Sequence, residues 1–142
     1  MLRLFHKEKG VIELTIQLIE KTIKGKKIRT NNNRLDEIIA LWSSVPQMDL
    51  AGEFFAVYSN YESNFKGNYD LLVGNEQADF LESSVIRAGQ YVEIPVAVGS
   101  PEGVGEAWQK IWKDEALEKK RTYLTDVEHY KEDGTVTIYL SV

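Results

Sequence analysis

The sequence predicts an α+β domain built from two strand-helix-strand-strand units related by a pseudo-two-fold axis. Three observations carry this prediction. Residues 11–20 and 122–142 alternate apolar and polar side chains and are rich in Val, Ile, Thr and Tyr, the strand signature. Two other stretches, one holding Leu35, Ile38, Ile39, Leu41 and Trp42 and the other Val104, Trp108, Ile111 and Trp112, space apolar residues three and four apart, as one face of a helix requires. The order strand, helix, strand, strand then occurs twice, over residues 11–75 and 84–142, and a repeat of that length argues for two similar units packed together.

Residues 1–9 read as a short polar lead-in that packs through Leu4 and Phe5. Residues 11–20 form a strand with one core face, and residues 21–30 continue it past a bend or bulge at Gly25, where a missing side chain weakens a strand interior. Lys21, Lys24, Lys26, Lys27, Arg29 and Arg34 read as a solvated strand edge kept from aggregating by charge. Asn31 to Asn33 offer a helix cap, and Val45-Pro46 ends the helix, because the residue before proline disfavours helical backbone. Residues 52–60 are a strand, 64–68 a turn at Gly67, and 69–74 the returning strand. Residues 75–84 link the halves, with a short helical turn at 78–81. Residues 84–98 are extended with a break at Ala88-Gly89, 99–105 are a loop, and the second helix runs into the Lys- and Glu-rich run 113–121.

The chain closes with a hairpin turning on Lys131-Glu132-Asp133-Gly134, where Asp-Gly is the hairpin signal. Alternation puts Tyr123, Thr125 and Val127 on one face of its first arm, and Asp126, Glu128 and Tyr130 on the other. If Val127 and Ile138 face the core, Glu128 and Tyr139 share the second face, a carboxylate among aromatic rings. That face is either simply wet or functional. Setting Leu41-Trp42 against Ile111-Trp112 and Tyr58-Ser59-Asn60-Tyr61 against Val127-Glu128-His129-Tyr130 puts Ser59 where the second half has Glu128. The repeated scaffold therefore does not demand the charge.

Composition narrows the function. The 142 residues carry a formal net charge of −5, with 43% hydrophobic and 27% charged side chains, an ordinary globular balance at the length of one domain, residues 1–142. The negative balance disfavours direct nucleic-acid binding. With no cysteine and only His6 and His129, a thiol nucleophile, a thiolate site, a zinc centre and a histidine triad all lack material. No apolar run has the length of a signal peptide or of a bilayer span, which makes a cytoplasmic, non-membrane chain the expectation. No catalytic group, metal ligand or cofactor motif stands out.

Several pieces, in order, resemble the GyrI-like domain, also called the AraC-type effector-binding domain. They are Ile23-Lys24-Gly25 through Arg29-Thr30, the strand ending Val73-Gly74, Ile86-Arg87-Ala88-Gly89-Gln90-Tyr91, Ala107-Trp108, Asp126-Val127-Glu128-His129-Tyr130, and the strand 136–142. The resemblance implies an antiparallel sheet with a central cleft between the two halves, which binds hydrophobic and often cationic drugs. It implies a cleft-floor glutamate at Glu128 and a ring at Tyr139. Only ten residues precede the first strand, so the similarity is to stand-alone members, such as those of mobile integron cassettes, rather than to transcription regulators with a DNA-binding domain. The proline frequent in the family's last strand is replaced by Ser141.

On this reading the ligand-binding residues are Glu128, Tyr139, Trp108, Phe55, Tyr58, Tyr91 and Trp42, and the partner is a hydrophobic cationic small molecule. Trp42 and Trp112 also suit a core, and Asp126 either shares the rim or is solvated. His129 points away from Glu128, which argues against a Glu–His pair. Two alternatives stand beside the sensing or sequestering module. One is a small-molecule hydrolase with Glu128 as general base, oriented by Tyr139; the other is a gyrase-inhibitor-like module acting through a protein partner or a homodimer.

Overall fold

A computed structural model describes residues 3–6 and 12–142 of the chain. Strands β1 (Arg3–His6), β2 (Ile12–Leu18) and β3 (Lys21–Thr30) lead to helix α1 (Leu35–Ser44) and a 3-10 turn (Val45–Met48). Strands β4 (Phe54–Ser59), β5 (Tyr69–Asn75), β6 (Glu82–Ile86) and β7 (Gly89–Pro95) follow. Helices α2 (Pro101–Lys113) and α3 (Glu115–Glu118) and strands β8 (Thr125–Tyr130) and β9 (Val136–Ser141) complete the chain.

The described residues place nine strands in one antiparallel sheet, in the order β1-β2-β7-β9-β8-β4-β5-β3-β6. Its centre is the β4–β8 pair, with β5-β3-β6 on one side and β9-β7-β2 on the other. Each half repeats the same arrangement, so the duplicated α+β architecture holds. The bend in the long first strand falls at Ile19-Glu20 rather than at Gly25. Leu18 faces Gly89 before it and Lys21 faces Ile86 after it, so β2–β3 and β6–β7 form one antiparallel ribbon of unbroken register. The first half of that ribbon belongs to one unit and the second half to the other.

Other boundaries differ from the sequence reading for local reasons. Part of the polar lead-in is a strand, β1, paired along β2; the packing of the Leu4 and Phe5 side chains lies outside what is described. The basic strand β3 is not an edge, because β5 and β6 flank it. Asn31 does not cap α1. Its side chain accepts from the Asn33 amide at 2.9 Å in a tight turn of its own, and Arg34 takes the cap position. Residues 78–81 form no helical turn. The loop expected over residues 99–105 is largely helix, since Ser100 accepts from the Gly103 amide at 3.2 Å and Pro101 opens the first turn, the favoured chemistry of a helix start.

The two faces of the sheet pack differently. On one, Ile23, Val57, Leu72, Ile86, Tyr91 and Val127 form a buried layer. On the other, α1 covers Leu71, Val73 and Ala56, while α2 covers Val92, Ile138 and Leu140. Tyr58 and Tyr130 belong to both of these helix-covered layers, so the boundary between the units runs over them. Among the described residues no helix is long and apolar enough to cross a membrane.

Candidate functional site

Two helices packed on neighbouring halves of one sheet leave a gap over the strands that join them. Here the gap is a cavity of about 630 Å³ above β4 and β8, within the size range of small-molecule sites. Trp42 and Ile38 of α1 wall one side, and Trp108, Trp112 and Val104 of α2 wall the other. Leu35 and Ile39, each 62% exposed, line it from α1 and give its mouth an apolar rim. Tyr61, Phe65 and Tyr69 close the far side.

Glu128 stands on the floor and is 2% exposed. In β8 the residues Asp126, Glu128 and Tyr130 share a face; β4 pairs antiparallel with β8, setting Ala56 opposite Glu128 and Tyr58 opposite Asp126. An alanine opposite the acid leaves room for neighbours to converge on it. The Tyr58 hydroxyl donates to Oε2 at 2.9 Å, the Trp108 indole donates to Oε2 at 2.6 Å, and the Tyr130 hydroxyl donates to Oε1 at 2.6 Å. Burial pushes the Glu128 carboxyl above the ordinary carboxylate range, and these three hydrogen bonds pull it partly back. Burial and the adjacent carboxylate also raise the Tyr58 and Tyr130 hydroxyls, so both remain donors. Among the described residues no cation pairs with Glu128; its three partners are neutral.

Asp126 makes the contrast. It is fully buried, yet the Arg121 guanidinium donates to its Oδ2 at 2.7 Å and the Tyr61 hydroxyl donates to the same oxygen at 2.6 Å. Burial pushes this acid up as well, and Arg121 opposes that rise. Of two buried acids on one strand face, the protein supplies a cation to one. The alternatives left open for Asp126, a rim or a solvated position, both give way to a buried ion pair.

Of the seven residues expected to bind ligand, the structure brings together Glu128, Trp108, Tyr58 and Trp42 around this cavity. Phe55, Tyr91 and Tyr139 lie on the opposite face of the sheet, packed with Val57 and Val127. The reason is register: Glu128 faces Ile138 and Val127 faces Tyr139, so Tyr139 cannot share the side of Glu128. Tyr139 pairs across strands with Glu93, Tyr91 donates to the Arg87 carbonyl at 2.6 Å, and Phe55 stacks on His129 at 4.4 Å. Tyr139 therefore cannot orient Glu128 as a general base. His129 faces away from Glu128, as alternation requires, and meets Glu53 at 3.0 Å.

Ser59 pairs with Thr125 on the opposite face, so it cannot be the counterpart of Glu128. The shift that sets Leu41 on Ile111 sets Tyr58 on Glu128, and those two residues share a face. The scaffold position is thus a tyrosine in one unit and an acid in the other, hydrogen-bonded to each other. Tyr130 and Trp112 are further cavity residues that the sequence reading did not select. Alternation had already put Tyr130 beside Glu128, so its signal was present. Trp112 stacks between Trp108 at 6.3 Å and Phe65 at 5.8 Å; helical spacing alone does not separate such a wall from a core residue.

No protein-family model and no curated protein sequence matches the chain. Solved structures do. An integron cassette protein from the mobile metagenome of Vibrio cholerae is 26% identical with a TM-score of 0.75, covering 90% of this chain and 94% of its own. A protein of Staphylococcus aureus assigned to bacterial transcription regulation is 16% identical, with a TM-score of 0.64 over 90% of this chain and 95% of its own. SAV2435, solved bound to tetraphenylphosphonium, is 17% identical, with a TM-score of 0.62 over 90% of this chain and 92% of its own. At their identities the last two bear on the fold alone. All three are consistent with the GyrI-like effector-binding fold expected from the sequence.

Proposed function

We propose that this chain binds lipophilic organic cations in the cavity between α1 and α2, with Glu128 as their counter-ion, and serves as a sensing or sequestering module. One observation carries the reading. A carboxylate 2% exposed sits in an aromatic cavity with three neutral donors and, among the described residues, no cationic partner. Burying a charge without a counter-charge costs several kcal/mol. A bound cation offsets that cost, and contact with an aromatic face adds about 0.5–2 kcal/mol. The similarity to a fold solved with tetraphenylphosphonium supports the same class of ligand.

The test is a tryptophan-fluorescence titration, since Trp42, Trp108 and Trp112 all line the cavity. Tetraphenylphosphonium is expected to quench saturably at micromolar concentration, and uncharged triphenylphosphine oxide far more weakly. Equal binding of the two would remove the counter-ion role. No response to either would favour the hydrolase or protein-partner reading.

A pH dependence follows from the raised carboxyl. In the free protein Glu128 keeps its proton above its ordinary value of 4.5, and only the ionised form attracts a cation. Affinity should therefore be low near that value, climb as pH passes through the raised one, and level off beyond it. Stability of the free protein runs the other way. A raised acid contributes stability that is fully present below 4.5 and lost as pH rises through the folded-state value. Titrations from pH 4 to pH 8, beside thermal melts of the free protein, check both signs.

A further inference from the structure

We infer that the Arg121–Asp126 pair sets the charge the cavity accepts, leaving one uncompensated negative charge and so selecting monocations over dications. The inference rests on the cation-binding reading above and specifies its ligand.

Asp126 and Glu128 are alternate residues of β8, so their side chains rise from one face about 7 Å apart. Both are buried, at 0% and 2% exposure. Two such acids beneath one cavity would suit a ligand with two positive charges. Of the two, only Glu128 lines the cavity; beside it lies Arg121, paired with Asp126. Its side chain is wholly buried and lines the cavity, with Nη2 at 2.7 Å from Asp126. A guanidinium does not lose its proton in a protein, so this internal cation is permanent. Tyr123 packs at 4.1 Å from the guanidinium carbon, and the Tyr123 hydroxyl donates to Glu118 at 2.6 Å, which fixes the arginine's position. Glu118 lies 3.9 Å from Nη1, but it is 35% exposed and solvated, outside the cavity lining.

The pair is poorly explained as a device for stability. Among the described residues Arg121 Nε and Nη1 have no hydrogen-bond partners although both are buried, and a buried ion pair is often replaceable by apolar groups without loss. A role in setting the charge beside a ligand cavity accounts for keeping it.

The experiment compares two ligands of one skeleton by isothermal titration: N-methyl-4-phenylpyridinium, a monocation, and methyl viologen, its dicationic counterpart. Tetraphenylphosphonium is titrated alongside. Wild type is expected to prefer the monocation by about tenfold or more. Asp126→Asn leaves Glu128 untouched but strips Arg121 of its counter-charge, and tetraphenylphosphonium affinity should fall about tenfold or more. The double variant Asp126→Asn/Arg121→Met removes both charges of the pair and should recover most of the affinity that Asp126→Asn loses; should Asp126→Asn fail to fold, the double variant carries the test, and a tenfold loss there overturns the inference. A folded Asp126→Asn with wild-type affinity, or equal binding of the monocation and the dication by wild type, overturns it while leaving cation binding intact. If wild type binds no tetraphenylphosphonium, the cation reading fails and the inference with it.

Discussion

Glu128→Gln is expected to weaken tetraphenylphosphonium binding about tenfold to a hundredfold, roughly 1–3 kcal/mol, with a melting temperature equal to wild type or higher. The substitution keeps the outline of the side chain and removes its charge. The glutamine oxygen still accepts from the Tyr58 hydroxyl and the Trp108 indole, which both approach Oε2 at present. The Tyr130 hydroxyl, now a donor to Oε1, can turn to accept from the new amide. The side chain keeps all three of its partners, and the desolvated charge is gone. Most residues lining a cavity lose stability when changed, so a variant that loses affinity without losing stability is a distinctive result. Fluorescence titration gives the affinity and a thermal melt at neutral pH gives the stability. Unchanged affinity would place the cation elsewhere; a melting point lower by several degrees would make Glu128 a structural node.

How much of this was legible turns on a single residue of the terminal hairpin. Alternation along β8 was enough to group Asp126, Glu128 and Tyr130 on one face. It could not fix what lies across from them, because that depends on loop length. A four-residue turn over Lys131 to Gly134 would set Tyr130 opposite Thr135 and bring Tyr139 to the side of Glu128. The loop instead includes Thr135, whose amide and hydroxyl both bond to Asp133, at 2.9 and 2.6 Å. The added residue slips the register by one and sends every side chain of β9 to the other face. Tyr139 goes to the second layer, and Ile138 takes its place beside Glu128. The same arithmetic misled the comparison of the two halves, where a one-residue slip put Ser59 in the place of Tyr58. Helical spacing did better, placing Trp42 and Trp108 on the faces that meet the cavity. Tyr61 and Phe65, in the irregular stretch between β4 and β5, follow no period, and only the folded chain shows what they wall.

The second large effect is expected at Gly74, and it concerns whether the first unit holds together at all. Gly74 of β5 pairs directly with Gly25 of β3. A side-chain carbon on Gly74 would lie 1.8 Å from the Lys24 carbonyl oxygen, and one on Gly25 would lie 1.9 Å from the Val73 carbonyl oxygen. Both obstacles are backbone, so no rotamer change relieves them; the strands must part. Gly25 therefore marks not a bulge but a close approach, matched by a second glycine across the ladder. Forcing extra atoms into packed structure costs about 1–3 kcal/mol, and more where backbone has to move. Gly74→Ala should thus lower the melting temperature by about 5–10 °C or more. Gly105 of α2 supplies the internal comparison, since a carbon added there meets nothing within 4 Å. Gly105→Ala should stabilise the helix by about 0.5–1 kcal/mol, the ordinary gain of alanine over glycine. Thermal melts of the two variants beside wild type decide the matter. Opposite signs locate the constraint in the β3–β5 approach, whereas equal and small shifts would mean that the strands separate easily and that the first unit tolerates a looser sheet.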